Sequence, residues 1–441
     1  MQNRVSRHRF SAVDIKLGTS TEYRRMEVMF RVIGVALLVS ALPACVGSIP
    51  RIPIRAELNG QEVVTTVDSE IAAYYATNYL SGRRSRPELD QIIDVAHRQL
   101  REKPPTRSAL ASLSRDYSTD FAALLLWRAL ATDPNNQVVS KIFAREFDRI
   151  MKRPDSGAAI ERRFPRDYLI LFVPGWFYQS QPQTGADFAK PRAVLRAVGA
   201  RTVLLNIDEN GSVESNAERI ANAIVELGRA EKNVILVSAS KAGPEVALAL
   251  STVRRSAKSH SVKAWVNIGG VLHGSVLADK ALGWPARWYV KLFLIGGGSF
   301  DGIESLTTAR SVARAKVTSL PPEVLVINYV GIPLSGQVSD GARTGYWLLS
   351  SEGPNDGLTQ ILDEILPGSV TIAELGLDHF FDHPNIHIKT VALAWTVIDF
   401  VANSVAGVAQ PGAPPDAVPP PIKWTLPPND KEVSNERCQT L

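Results

Sequence analysis

A serine at the junction of an apolar run and a helix-forming run is the most chemically suggestive feature of this 441-residue chain. Residues 234–250 read VILVSASKAGPEVALAL. Ser238 and Ala242 stand two positions before and after Ser240. A hydroxyl nucleophile needs that setting. A sharp strand-to-helix turn lifts the side chain off the sheet edge, and bulky neighbours there would drive strand and helix into collision. The helix N-terminus behind the turn favours negative charge developing in front of it. Pro244 falls in the first helical turn, where a missing N–H costs least. Two other readings stay open on these residues. Ser238 and Lys241 also fit an S-x-x-K pattern, although Lys389-Thr390 is followed by valine rather than by the glycine of its usual companion motif. An ordinary strand-to-helix turn can also carry serines without doing chemistry.

The turn resembles the nucleophile elbow of the α/β-hydrolase superfamily, in particular its lipase and esterase branch. The family pattern is G-x-S-x-G; here Ser238 and Ala242 replace the glycines, and both are small. The resemblance implies that Ser240 is the nucleophile. It also implies an oxyanion hole built from two backbone N–H groups. One comes from Lys241, the residue after the nucleophile. The other comes from Trp176 in Val173-Pro174-Gly175-Trp176, which follows the earlier apolar run LILFV. Many members have histidine where this chain has Pro174.

A serine at neutral pH needs a base, usually a histidine oriented by a carboxylate. Of seven histidines, His8 lies in the leader, His97 in the N-terminal helical block, and His260 precedes a strand at the wrong end of the sheet. The family's chain order is serine, acid, histidine. His273 precedes any plausible acid, and Leu272-His273-Gly274-Ser275 resembles a structural turn. His379, in Gly376-Leu377-Asp378-His379, follows the last weak strand, where the family's catalytic histidine falls. His383 is the alternative, and His387 runs into the following helix. For the acid, Asp356 in Gly353-Pro354-Asn355-Asp356-Gly357 is preferred over Asp340, because it lies nearer the histidine-bearing strand.

The implied chemistry is two-step acyl transfer on a small-molecule or lipid ester, with no metal or organic cofactor. An amidase or thioesterase would use the same groups, and a non-catalytic binding scaffold is the reading from another class. Residues 276–315 form a candidate lid. They hold Trp284, Trp288, Tyr289 and a run of aliphatic residues, then Gly296-Gly297-Gly298 as a hinge. An apolar helix packed permanently on the sheet has the same composition.

Such residues need a scaffold whose strand ends converge. From residue 168 the chain offers YLILFV, RTVLLNI, NVILVSA, VKAWVNI, EVLVINYV and SVTIAEL, short β-branched runs with helical stretches between several of them, notably 213–230 and 241–257. Continuous apolar strands alternating with helices predict a mostly parallel sheet covered on both faces, an α/β-hydrolase fold over residues 165–405. Residues 45–164 are expected to be mostly helical after a short hairpin at 50–67. Residues 406–441, rich in proline and alanine at their start, are expected to be disordered.

Residues 32–44, VIGVALLVSALPA, follow Arg24, Arg25 and Arg31. The run is too short to span a bilayer and fits an export signal over residues 1–44. Met29 begins a complete signal of this type, which makes residues 1–28 a candidate over-extended start. Leu42-Pro43-Ala44-Cys45 resembles a bacterial lipobox, which implies lipidation of Cys45 and attachment to a membrane surface of the cell envelope, facing the periplasm or the exterior. Cys438 is then a lone thiol in the tail. Seven of the 49 basic and three of the 44 acidic residues lie in 1–44, leaving 42 against 41. That near-neutral remainder gives no electrostatic case for nucleic-acid binding.

Overall fold

Asn59 and Gly60 both adopt positive φ, 54° and 79°. This Asn-Gly pair supplies the turn that joins two antiparallel strands, β1 (Ile52–Leu58) and β2 (Gln61–Val67). The computed structural model describes residues 51–102, 104–152, 163–256, 260–283 and 300–405. Cys45, the leader, the lid segment 284–299, the tail beyond 405 and Cys438 lie outside the described residues.

Five helices follow the hairpin: α1 (Glu70–Thr77), α2 (Pro87–Glu102), α3 (Arg107–Asp116), α4 (Thr119–Thr132) and α5 (Pro134–Met151). Their starts are written in the sequence. The Ser118 hydroxyl accepts the N–H of Phe121 at 3.1 Å, and the Asp133 carboxylate accepts those of Asn135 and Asn136 ahead of α5, with Pro134 at its first position.

The remaining chain alternates strands and helices: β3 (Tyr168–Val173), α6 (Ala189–Ala197), β4 (Arg201–Leu204), α7 (Val213–Ala230), β5 (Asn233–Ala239), α8 (Ala242–Arg255), β6 (Val262–Ile268), then α9 (Val276–Leu282), α10 (Phe300–Ser305) and α11 (Thr308–Ala315). β7 (Leu325–Ile332), α12 (Asp340–Leu349), β8 (Val370–Leu375) and α13 (Ile386–Val405) complete it. The sheet runs β4-β3-β5-β6-β7-β8, with every neighbouring pair parallel. Phe172, Val237, Val266 and Ile327 are register partners across four strands and share one face. That face packs on α5, α6 and α13 through Phe143, Leu195 and Trp395. Leu171, Leu236 and Trp265 on the opposite face meet Ile220 of α7 and Val246 of α8. Burial on both faces is why the strands read as unbroken apolar runs. The chain adds β4 outside β3 and then returns to β5 on the other side, so the carboxyl ends of β3 and β5 border a crevice of the kind where open sheets bind ligands.

The N-terminal region packs on the end of the sheet, with Phe121 and Leu125 of α4 joining Val330, Ile332, Ile361 and Leu375 in one apolar cluster. A pair of acids, Asp120 buried and Asp68 half-buried, crosses this junction. Asp68 N–H donates to Asp120 Oδ2 at 2.7 Å, and Asp120 and Thr119 N–H return bonds to Asp68 Oδ2. Ser335 N–H and Tyr346 Oη, both from the sheet side, donate to Asp120 Oδ1 at 2.8 and 3.0 Å. Burial, then the like charge of Asp68, pushes Asp120 up to about 7, and burial raises Asp68 as well. A carboxyl raised on folding contributes stability that is complete below its unfolded value near ~4 and fades as pH rises through the folded one. The melting temperature is therefore expected to fall between about pH 4 and pH 7, and Asp120→Asn, which cannot ionise, should flatten that fall. Parallel pH profiles for the two proteins would remove the junction from the account.

Candidate active site

The last residue of β5 is Ala239, and the chain turns at Ser240 with φ +54°, a left-handed value rare for a residue with a Cβ. Such a conformation costs roughly 1–2 kcal/mol and persists where surrounding bonds impose it. Here Ser240 N–H donates to Ile268 O at 3.1 Å, and Ser240 O accepts Gly243 N–H and Val271 N–H at 3.0 and 3.1 Å. Helix α8 starts directly behind. A Cβ at Gly243 would stand 2.8 Å from Gly270 Cα, so the first turn of α8 passes against the chain beyond β6 with no room for a side chain.

His379 is carried by the loop after β8. Asp378 shapes that loop: its carboxylate accepts Ser339 N–H at 2.8 Å and Phe380 N–H at 3.0 Å. His379 Nε2 lies 2.9 Å from Ser240 Oγ. Its Nδ1 is hydrogen-bonded to Asp356 Oδ2, and its backbone N–H donates to Asp356 O at 2.9 Å. Asp356 sits in the loop after α12, with no exposed surface. Its other oxygen, Oδ1, accepts Leu358 N–H and Thr359 N–H at 2.9 and 2.8 Å. Burial disfavours the Asp356 anion, but His379 and the two amide donors outweigh it and hold the carboxyl below its ordinary value. Burial likewise disfavours a charged His379, and the Asp356 carboxylate outweighs that too, raising the imidazole above its ordinary value. The result is a serine, a base and an ionised acid in one unbroken hydrogen-bonded chain.

The oxyanion candidates flank the serine. A Cβ on Gly175 would lie 3.6 Å from Ser240 Cβ and 3.3 Å from Ala239 O, so the loop after β3 passes directly over the turn. Gly175 N–H is occupied by Ala186 O, whereas among the described residues the backbone N–H groups of Trp176 and Lys241 have no acceptor. The Trp176 indole N–H reaches Asn210 Oδ1 at 3.3 Å, and its ring stacks on Phe177. The Lys241 side chain is turned away from this edge. It is buried and ion-paired with Glu245, whose Oε1 also accepts Asn216 Nδ2–H at 2.9 Å. A buried ammonium needs such a partner, and the pairing ties Lys241 to the helix it precedes.

The structure brings Ser240, Asp356, His379 and the backbone of Trp176 to one strand edge and leaves the alternatives elsewhere. Ser238 is fully buried and its Oγ accepts Trp265 Nε1–H at 2.8 Å, so the S-x-x-K reading has neither an accessible serine nor a free lysine. Asp340 is an exposed helix-start residue paired with Arg343. His273 is half-buried with its backbone N–H on Asp363 O, and desolvation, then the charge of Arg107, depresses it to about 4. His383 accepts Asn385 N–H on its Nδ1. Sequence reasoning missed Gly243, the Lys241–Glu245–Asn216 cluster and Glu364, a fully buried acid. Only the first had a signal, a glycine directly after the small Ala242.

A parallel sheet bearing a strained serine after one central strand, an acid after a later one and a histidine after the last is the α/β-hydrolase fold. No family model matches the chain, and no curated protein matches it. Among solved structures it is similar to the mature form of a Bacillus licheniformis lipase, with 23% identity and a TM-score of 0.44, covering 55% of this chain and 95% of that one. It is similar to a metagenomic carboxyl esterase at 17% identity and a TM-score of 0.47, covering 64% and 99%. A phospholipase from Legionella pneumophila is similar at 17% identity and a TM-score of 0.31, covering 45% of each chain. These are distant likenesses, and the chemistry is read from the side chains above.

Proposed function

We propose that this chain is a serine hydrolase that cleaves a carboxylic ester through an acyl-enzyme intermediate. The observation that carries this reading is the bond chain from Ser240 Oγ through His379 to Asp356, with the serine held at positive φ. Ser240 Oγ bonds to the carbonyl carbon as its proton passes to His379 Nε2, and the carbonyl electron pair moves onto oxygen. The N–H groups of Trp176 and Lys241 receive that oxyanion, and the start of α8 adds favourable potential. Collapse breaks the ester C–O bond, and His379 returns the proton to the leaving alcohol. Water then repeats the sequence on the acyl-enzyme, with His379 again as base. Asp356 stays ionised, keeps the proton of the neutral imidazole on Nδ1 and stabilises the imidazolium.

A small-molecule or lipid ester suits this machinery. In the same reading the protein is tethered to a membrane of the bacterial envelope through a lipidated Cys45, supported by the Leu42-Pro43-Ala44-Cys45 sequence. No helix among the described residues is long and apolar enough to cross a membrane. The test is a fluorophosphonate probe on residues 46–441, with the labelled residue mapped by mass spectrometry. Labelling at Ser240 that disappears in His379→Ala is the expected result. A folded protein left unlabelled would overturn the hydrolase reading in favour of a binding scaffold.

A further inference from the structure

Asn216 lies in the first turn of α7 and is fully buried. Its amide nitrogen donates twice, to Glu245 Oε1 of α8 at 2.9 Å and to the backbone oxygen of Asp208 at 2.8 Å. Both partners are acceptors, so the nitrogen and not the oxygen of the amide must face them. Each bond leads on to one of the two backbone groups proposed to hold the oxyanion. On one side, Glu245 Oε1 also pairs with the Lys241 ammonium, and both side chains are buried. On the other side, Asp208 O accepts Gly211 N–H at 3.1 Å and Asp208 Oδ1 accepts Asn210 N–H at 3.0 Å, which closes residues 208–211 into a turn. Asn210 Oδ1 in turn accepts the Trp176 indole N–H. The chain beyond Trp176 is tied to the same loop. Glu209 Oε2 accepts Gln179 N–H and Ser180 N–H at 2.9 and 3.1 Å, and Tyr178 Oη donates to Ile207 O at 2.9 Å. Helix α10 backs the turn: a Cβ on its Gly302 would stand 3.0 Å from Asn210 O and 3.6 Å from Trp176 Cζ2. One line of bonds therefore runs from Lys241 through Glu245, Asn216 and the 208–211 turn to Trp176.

We propose that Asn216 is a positioning residue of the oxyanion hole, which fixes the spacing of the Lys241 and Trp176 N–H groups by bonding to Glu245 and to the Asp208 carbonyl at once. The inference rests on the hydrolase reading of the site. The two N–H groups follow different strands, β5 and β3, yet both must point at one oxygen atom. A misplacement of about 1 Å at such a site costs on the order of a hundredfold in rate. Asn216 is enclosed and touches no substrate. Its effect falls on the step in which the carbonyl electron pair moves onto oxygen, and so on the transition state rather than on the bound ester. The cost of removing it is bounded by the loss of one donor outright, roughly a hundredfold to a thousandfold.

The test compares p-nitrophenyl butyrate with its thionoester, in which sulfur replaces the carbonyl oxygen. Asn216→Leu fills nearly the same space and donates nothing. It should lower kcat for the oxygen ester by roughly tenfold to a hundredfold, with KM within about twofold of wild type. The thionoester separates this role from a general loss of structure. Sulfur accepts hydrogen bonds weakly and sits farther from carbon, so the thionoester gains little from the two donors. Wild type should therefore prefer the oxygen ester, and Asn216→Leu should shrink that preference by most of the factor lost in kcat. Equal losses on the two substrates, an unchanged kcat, or a wild type without the preference overturns the role of Asn216 and leaves the hydrolase reading standing. If Asn216→Leu does not fold, Asn210→Leu decides the matter, since it removes the acceptor of the Trp176 indole on a half-buried turn. The same preference should then shrink by about threefold or more, the worth of one net hydrogen bond, and an unchanged preference overturns the proposal. A wild type that takes no fluorophosphonate at Ser240 overturns the hydrolase reading, and this inference with it.

Discussion

Ser240→Ala is expected to lower kcat for ester hydrolysis by roughly a millionfold, with melting temperature almost unchanged. The two halves of that expectation have different physical origins. Removing Oγ removes the atom that bonds to the acyl carbon, and His379 is left with no hydroxyl to activate. What survives is binding and the oxyanion donors. Stability is spared because alanine keeps the backbone bonds of Ser240 to Ile268, Gly243 and Val271 and meets the same penalty at φ +54°. A short-chain chromogenic ester and a thermal melt on the same preparation check both. Turnover within tenfold of wild type would mean that the nucleophile is elsewhere. Ser238 would be a poor substitute, since its hydroxyl is enclosed and held by Trp265.

What the sequence made legible, and what it hid, follow from the same physics. Strands covered on both faces leave unbroken apolar runs, so each strand of the large sheet could be read without structure, and so could several of the helices between them. Ser240, Asp356 and His379 could be picked out because the elbow around Ser240 resembles that of the α/β-hydrolases and the acid and histidine follow it in the order that resemblance implies. The structure brings those three within hydrogen-bonding distance, and Asp340 and His383 fall away once their surroundings are known. Glu364 could not be found this way. An acid on a one-turn helix has no periodicity, and its burial depends on the approach of Asn267 and the Asp356 loop, which are distant in sequence or fixed by tertiary packing. The Asp68–Asp120 pair was hidden for the same reason, since each residue alone reads as an ordinary turn or helix-start acid. Lys241 was visible as a backbone donor candidate, but the fate of its side chain, buried against Glu245, is a property of the packed helix.

The second large effect is expected from Asp356→Asn, a drop in kcat of about ten-thousandfold at neutral pH. The substitution keeps nearly the same shape. The Asn oxygen can still accept the N–H groups of Leu358 and Thr359, which wild type directs to Oδ1. Its amide nitrogen then faces His379 Nδ1 as a donor. Nδ1 must accept, the imidazole proton moves to Nε2, and the atom 2.9 Å from Ser240 Oγ can no longer take the serine proton. The charge that stabilised the imidazolium is lost as well. Because Asp356 raises His379, removing the anion should lower the imidazole below its wild-type value, so the residual activity should begin to rise at lower pH than in wild type. KM should change little, since Asp356 is enclosed behind His379 and has no exposed surface to offer a substrate. Full kinetics across pH separate these effects. A kcat close to wild type would mean that Asp356 only holds its loop together and does not orient His379.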